Sequence, residues 1–176
     1  MRFGVRKLTI MAALTAAALI IFIIEAQIPL PFPIPGVKLG LANIVTLFAL
    51  FHSRSGYRGK DALTTADAFM ILACRIILGA LFTGRLVTFA FSLTGGLMGF
   101  AAQALLSRYV TEKQIWVCGA LGAVLHNVGQ ILAAMLITGT PAIAAYLPVL
   151  VIAGVVTGTI TGFAAQITIN RVRRTP

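Results

Sequence analysis

The sequence predicts an all-α integral membrane protein, a bundle of six transmembrane helices forming a single domain over residues 1–176, and three observations predict it. The chain is 59% hydrophobic and only 10% charged, with a mean hydropathy of +1.00, whereas a soluble domain is about a quarter charged. Its apolar residues fall in long runs, several of them near the ~20 residues that cross a bilayer as a helix. Its basic residues sit between those runs, on alternate connections.

The first run, at about residues 8–28, follows Arg2, Arg6 and Lys7 and is broken only by Glu25 and Gln27 near its far end. It is longer than the apolar stretch of a secretory signal and no small-residue cleavage site follows it, so it reads as a retained helix. The next stretch, Ile28 to Gly36, alternates prolines with apolar residues. Each proline lacks an N–H donor, so this stretch is expected to be an ordered external loop or a partial re-entrant segment. Irregular backbone survives at membrane depth only where protein or a wet cavity satisfies it, which makes the loop a candidate wall of a site. The second span, about 39–51, is short. The third, about 62–82, holds Asp67 and Arg75, while those at about 86–106, 115–137 and 142–169 contain no Asp, Glu, Lys or Arg.

Charge sets the expected orientation. Arg2, Arg6, Lys7, Arg54, Arg58, Lys60, Arg108, Lys113, Arg171, Arg173 and Arg174 fall on one side, against Lys38 and Arg85 on the other. Eleven basic residues against two predict that both termini are cytoplasmic. The net charge of +10 is therefore a topology signal. Without an aromatic-interleaved basic stripe, no nucleic-acid partner is expected, and the lipid bilayer is the first partner. Cys74 and Cys118 lie in apolar runs without metal-ligand spacing and are expected to be buried packing residues. No haem or flavin attachment motif is present, and no cofactor is expected.

Small residues recur at four-residue spacing, which lets helices approach closely in lipid. Gly95/Gly99 and the stripe Gly154, Gly158, Gly162 are expected to pack within the chain. Ala12/Ala16 and Ala13/Ala17 on the first span could pack internally or dock a partner membrane protein.

Ionisable groups inside spans are costly and mark functional candidates. Arg75 needs an anion, a carbonyl cluster or a wet cavity. Asp67, eight residues earlier, shares its face but lies ~12 Å away along the axis, which leaves Glu25 as a structural partner or a ligand anion in a cavity. His126, Asn127 and Gln130 make one face of the fifth span polar, because i,i+3 and i,i+4 positions are neighbours on a helix. A metal site is not expected: the other histidine, His52, is at the cytoplasmic end of the second span and no carboxylate is near His126 in sequence. Lys38 and Arg85 at outer span ends would, with Arg75, make an externally open pocket positive and suited to an anionic or phosphate-bearing ligand. The expected pocket is walled by the Pro-rich loop and the outer halves of spans two, three and five. Arg75 and Lys38 would hold the anion and Arg85 stand at the mouth, with Asn43, His126, Asn127 and Gln130 as hydrogen-bonding groups.

Pro35-Gly-Val-Lys-Leu-Gly-Leu-Ala-Asn43, Arg75-Ile-Ile-Leu-Gly79 and His126-Asn-Val-Gly-Gln130 resemble the Gx transporter family, also described as heptaprenyl diphosphate synthase component I. The resemblance covers essentially the whole chain. That family is similar to the substrate-binding (S) components of energy-coupling factor transporters, six-helix proteins that bind a micronutrient near the outer face. By this resemblance Ala12, Ala13, Ala16 and Ala17 match the alanine motif that docks a transmembrane coupling subunit, with two cytoplasmic ATPases driving transport. The resemblance thus implies a ligand-binding transport subunit. The alternative is a non-catalytic membrane accessory subunit in prenyl diphosphate or quinone metabolism, or in an associated electron-transfer pathway. The chain is not expected to be a catalyst alone. Prenyl transfer needs clustered carboxylates that hold Mg²⁺, and Glu25, Asp61, Asp67 and Glu112 are not adjacent. There is also no Walker A sequence and no nucleophile elbow.

Overall fold

The computed structural model describes residues 4–28, 38–52 and 62–174, with the side chains of residues 173 and 174 excluded. The Pro-rich stretch over residues 29–37 and the basic connection 53–61 lie outside the described residues. Six α-helices follow one another: α1 (Val5–Glu25), α2 (Asn43–His52), α3 (Thr65–Thr83), α4 (Leu86–Leu106), α5 (Ile115–Thr138) and α6 (Leu147–Arg174). Short 3-10 turns at Glu112–Gln114 and Pro141–Tyr146 lead into α5 and α6, and the described residues include no strand. Five helices are long and apolar enough to cross a membrane, and α2 is the short one. The protein is a multi-pass membrane helical bundle.

The helix ends have local causes. α3 starts at Thr65 because Thr64 caps it: the Asp67 N–H donates to Thr64 Oγ1, and the Asp67 carboxylate accepts from the Thr64 N–H at 2.6 Å. The same carboxylate pairs with Lys7 Nζ at 2.6 Å, tying the start of α1 to the start of α3. Asp67 is thus engaged at its own helix end. α3 and α5 each stop at a glycine with positive φ, Gly84 and Gly139. The sixth helix begins later than residue 142, after a 3-10 turn, and runs on to Arg174, since solvated basic residues can continue a helix beyond the apolar region.

The exterior is apolar, unlike that of a water-soluble protein, and the interior combines an apolar core with a buried polar cluster. Ile20, Ile77, Leu81, Leu97, Leu132, Ile152 and Ile160 are exposed, while Glu25, Asn43, Arg75, His126, Asn127 and Gln130 are buried. That distribution fits hydrocarbon outside and a polar cluster inside. α5 is the central long helix and packs most extensively against α6 and α4. Backbones meet closely there: a Cβ on Gly119 would come within 2.7 Å of Gly162 Cα, and one on Gly99 within 2.8 Å of the Gly122 carbonyl oxygen. The glycine stripes therefore pack within the chain, as expected. α2 touches all five other helices and is buried on nearly every side, with Leu47, Ala49 and Phe51 almost fully enclosed. The segment 38–42 that leads into α2 borders the candidate site.

One expectation about helix faces is corrected. Cys74 is exposed, one position away from buried Arg75, while Cys118 is fully buried. Neighbouring helical residues point about 100° apart, so a single apolar run holds both inward and outward positions. On α1, Ala12, Ala13 and Ala16 are exposed, but Ala17 packs against the core. Three of the four alanines thus face outward, and Ala17 is half-buried.

Candidate ligand chamber

The polar interior converges on one small chamber lined by Phe22 and Glu25 of α1, Lys38, Gly40 and Ala42 before α2, and Arg75 of α3. Phe91 and Ser92 of α4 and His126 and Gln130 of α5 complete the lining. Its volume is about 10 Å³, room for about one water molecule.

Segment 38–42 is held by side chains from two helices. Gln130 on α5 engages the Lys38 backbone twice: its Oε1 accepts from the Lys38 N–H at 2.8 Å and its Nε2 donates to the Lys38 carbonyl at 3.0 Å. On α1, Glu25 Oε1 accepts from the Gly40 N–H at 2.5 Å. Gly40 has φ +80, and a Cβ there would stand 2.9 Å from His126 Cδ2, so only glycine fits this turn against the imidazole.

The cations face the chamber with few partners. Arg75 is 3% exposed, and among the described residues its one hydrogen bond runs to Asn43 Oδ1 at 3.3 Å. Its guanidinium carbon lies 5.5 Å from the Phe22 ring centroid, while Lys38 Nζ lies 3.2 Å from the same centroid and donates to the Phe22 carbonyl at 3.4 Å. Phe22 thus carries two cation–π contacts. Lys38 precedes α2, and its amine is lowered to about 8: burial is the main cause, the Glu25 charge opposes it, and the Arg75 charge adds to it. Among the described residues, Asn43 Nδ2 and His126 Nδ1 are buried without a hydrogen bond of good geometry. The chamber is therefore rich in donors, with Glu25 as its carboxylate.

Of the expected site residues, Lys38, Asn43, Arg75, His126 and Gln130 come together. Arg85 does not: it is exposed at the N-cap of α4 and does not line the chamber. Asn127 is fully buried but turned to α6, where its Nδ2 donates to the Leu150 carbonyl at 2.7 Å. Sequence reasoning weighed Glu25 only as a partner for Arg75 and did not name Phe22 or Ser92. A carboxylate near the end of an otherwise apolar span was the available signal for Glu25, and Phe22 precedes it by one helical turn. No group of three or more His, Cys, Asp or Glu residues that could hold a metal ion occurs among the described residues.

A sequence model of the family described as heptaprenyl diphosphate synthase component I matches residues 14–168. No curated protein and no solved structure matches the chain.

Proposed function

The chain belongs to the heptaprenyl diphosphate synthase component I family, and on that premise we propose that it is the substrate-binding membrane subunit of an energy-coupling-factor-like uptake transporter for a small anionic molecule. The observation that carries this reading is Arg75. A lone arginine deep in a bilayer costs at least ~2.5 kcal/mol on insertion scales, yet its contacts among the described residues are a long hydrogen bond to Asn43 and the face of Phe22. Glu25 lines the same chamber and its charge acts on Arg75, but among the described residues no carboxylate forms an ion-pair contact with the guanidinium. An anion placed between Arg75 and Lys38 would supply the missing charge-assisted hydrogen bonds. Because the chamber has room for about one water, admitting a ligand requires segment 38–42 to shift away from α1 and α5.

In this reading the N- and C-termini are cytoplasmic and the chamber opens outward. The exposed Ala12, Ala13 and Ala16 dock a membrane coupling subunit that works with cytoplasmic ATPases. The chain binds its ligand and catalyses nothing alone. The family description supports a second reading, a non-catalytic membrane accessory in prenyl diphosphate or quinone metabolism. Copurification separates them: a transport subunit brings down a membrane protein and ATPases, and a synthase accessory brings down a soluble, carboxylate-rich subunit.

The direct test is mass spectrometry of small molecules retained after gentle purification, comparing the wild type with Arg75→Met. The expected result is a retained anion that disappears in the variant, with the melting temperature of washed protein unchanged or raised. A large drop in that temperature with the same molecule retained would make Arg75 a structural residue and remove the basis for the reading.

A further inference from the structure

The orientation of Gln130 determines where the proton sits on His126. Its amide is assigned without ambiguity, because the Lys38 N–H can only donate and the Lys38 carbonyl can only accept. Oε1 therefore faces the first and Nε2 the second, at 2.8 and 3.0 Å. The same Nε2 lies 2.5 Å from His126 Nε2. An amide nitrogen has two hydrogens and no usable lone pair, so His126 Nε2 must be the acceptor. The imidazole is then neutral and carries its proton on Nδ1, which makes no hydrogen bond among the described residues although the Gly95 backbone lies against the ring. Second contacts of this kind select a histidine tautomer.

We propose that Gln130 is a positioning residue: clamped by the backbone of Lys38, it holds His126 as the Nδ1–H tautomer, so that the chamber recognises an acceptor-only anionic group such as carboxylate or phosphate. Among the described residues, the donors left without a hydrogen bond are Nδ2 of Asn43 and Nδ1–H of His126, for which the Gly95 carbonyl competes, alongside Arg75 and Lys38. A ligand group that must itself donate finds Glu25 as the facing carboxylate, which already accepts from the backbone of both Gly40 and Leu41. The coupling runs through the backbone. Gln130 is oriented only while segment 38–42 rests against α5, so closure of that segment and presentation of the His126 donor are one event. This rests on the anion-binding reading above for its ligand, but not for its tautomer.

The experiment is nitrogen-15 NMR of the full chain in detergent with labelled histidine, using His52→Asn to assign the two rings. The wild type is expected to show a protonated Nδ1 and an unprotonated Nε2 at His126; a protonated Nε2 would overturn the proposal. In Gln130→Glu the carboxylate cannot donate, and the proton is expected to move to Nε2. Should that variant fail to fold, Gln130→Met is expected to give a mixture of tautomers. A folded variant of either kind that retains a pure Nδ1–H ring would overturn the positioning role. Titration with inorganic phosphate supplies the second arm. The His126 Nδ1–H signal should shift in the wild type, and Gln130→Met should need more phosphate in proportion to the Nδ1–H fraction it loses, about twofold for an even mixture of tautomers. A correct tautomer that phosphate leaves unmoved would overturn the recognition half together with the anion reading. A wrong tautomer in a protein that still binds phosphate would overturn this inference alone.

Discussion

Lys38 shows how one side chain can make the chamber pH-sensitive. Its amine is lowered to about 8, so it is charged at neutral pH and loses that charge as the pH rises through that value. Anion binding that uses the ammonium should hold below about pH 7 and weaken about tenfold by about pH 9, following the charged fraction. A phosphate titration at the two pH values checks this, and a flat profile would mean that Arg75 alone holds the anion. Gly40 gives a second prediction at this scale. With φ +80 and the His126 ring 2.9 Å from where a Cβ would go, Gly40→Ala should cost about 1–3 kcal/mol. The cost should appear as a lower melting temperature in detergent, and an unchanged value would show that segment 38–42 can retreat from α5. Residue types advertised the candidates, since Arg75, His126 and Gln130 are expensive in an apolar run. Partners were not legible: Gln130 and Lys38 are 92 positions apart, and no local pattern reports a contact over that distance.

At the level of the helix, Asp67 does two jobs that residue type alone does not reveal. It closes the capping box of α3 and binds Lys7 of α1 at 2.6 Å. Asp67→Ala should remove both, costing about 1–3 kcal/mol through the lost cap and the lost ion pair, measured by thermal unfolding. Lys7→Met should cost less, since the cap survives. The outward face of α1 supports an assembly prediction. Replacing Ala12 and Ala16 with leucine should block copurification of a membrane partner while leaving the isolated chain folded, because both positions are exposed and only close backbone approach is lost. Normal assembly of the double variant would remove that face from the interface. The α4 boundaries agree with the sequence expectation, whereas α3 starts three residues later than expected because its start depends on the Thr64 cap.

For the whole molecule, the testable property is orientation. Cysteines placed at Thr140 and Thr111, after replacement of Cys74 and Cys118, should react with a membrane-impermeant probe from outside and only from inside, respectively. Reversed labelling would invert the bundle and put the chamber on the cytoplasmic side. Both positions are exposed, so failure to label would not follow from burial in the protein.

The chain's own sequence determined that this is a helical membrane bundle, how many apolar runs it has and which residues are costly enough to need a purpose. Hydropathy and charge bias act locally along the chain, so they can be read without knowing the neighbours. Tertiary structure alone decided how each helix is rotated about its axis. A rotation of about 100° separates His126, in the chamber, from Asn127, which is spent on α6. The same packing left Arg85 outside, turned Cys74 outward and brought Glu25 and Phe22 beside Arg75 and Lys38. In lipid every face of an apolar helix is tolerated, so the face that turns inward is chosen by backbone approach and by polar groups finding partners, and both depend on the other five helices.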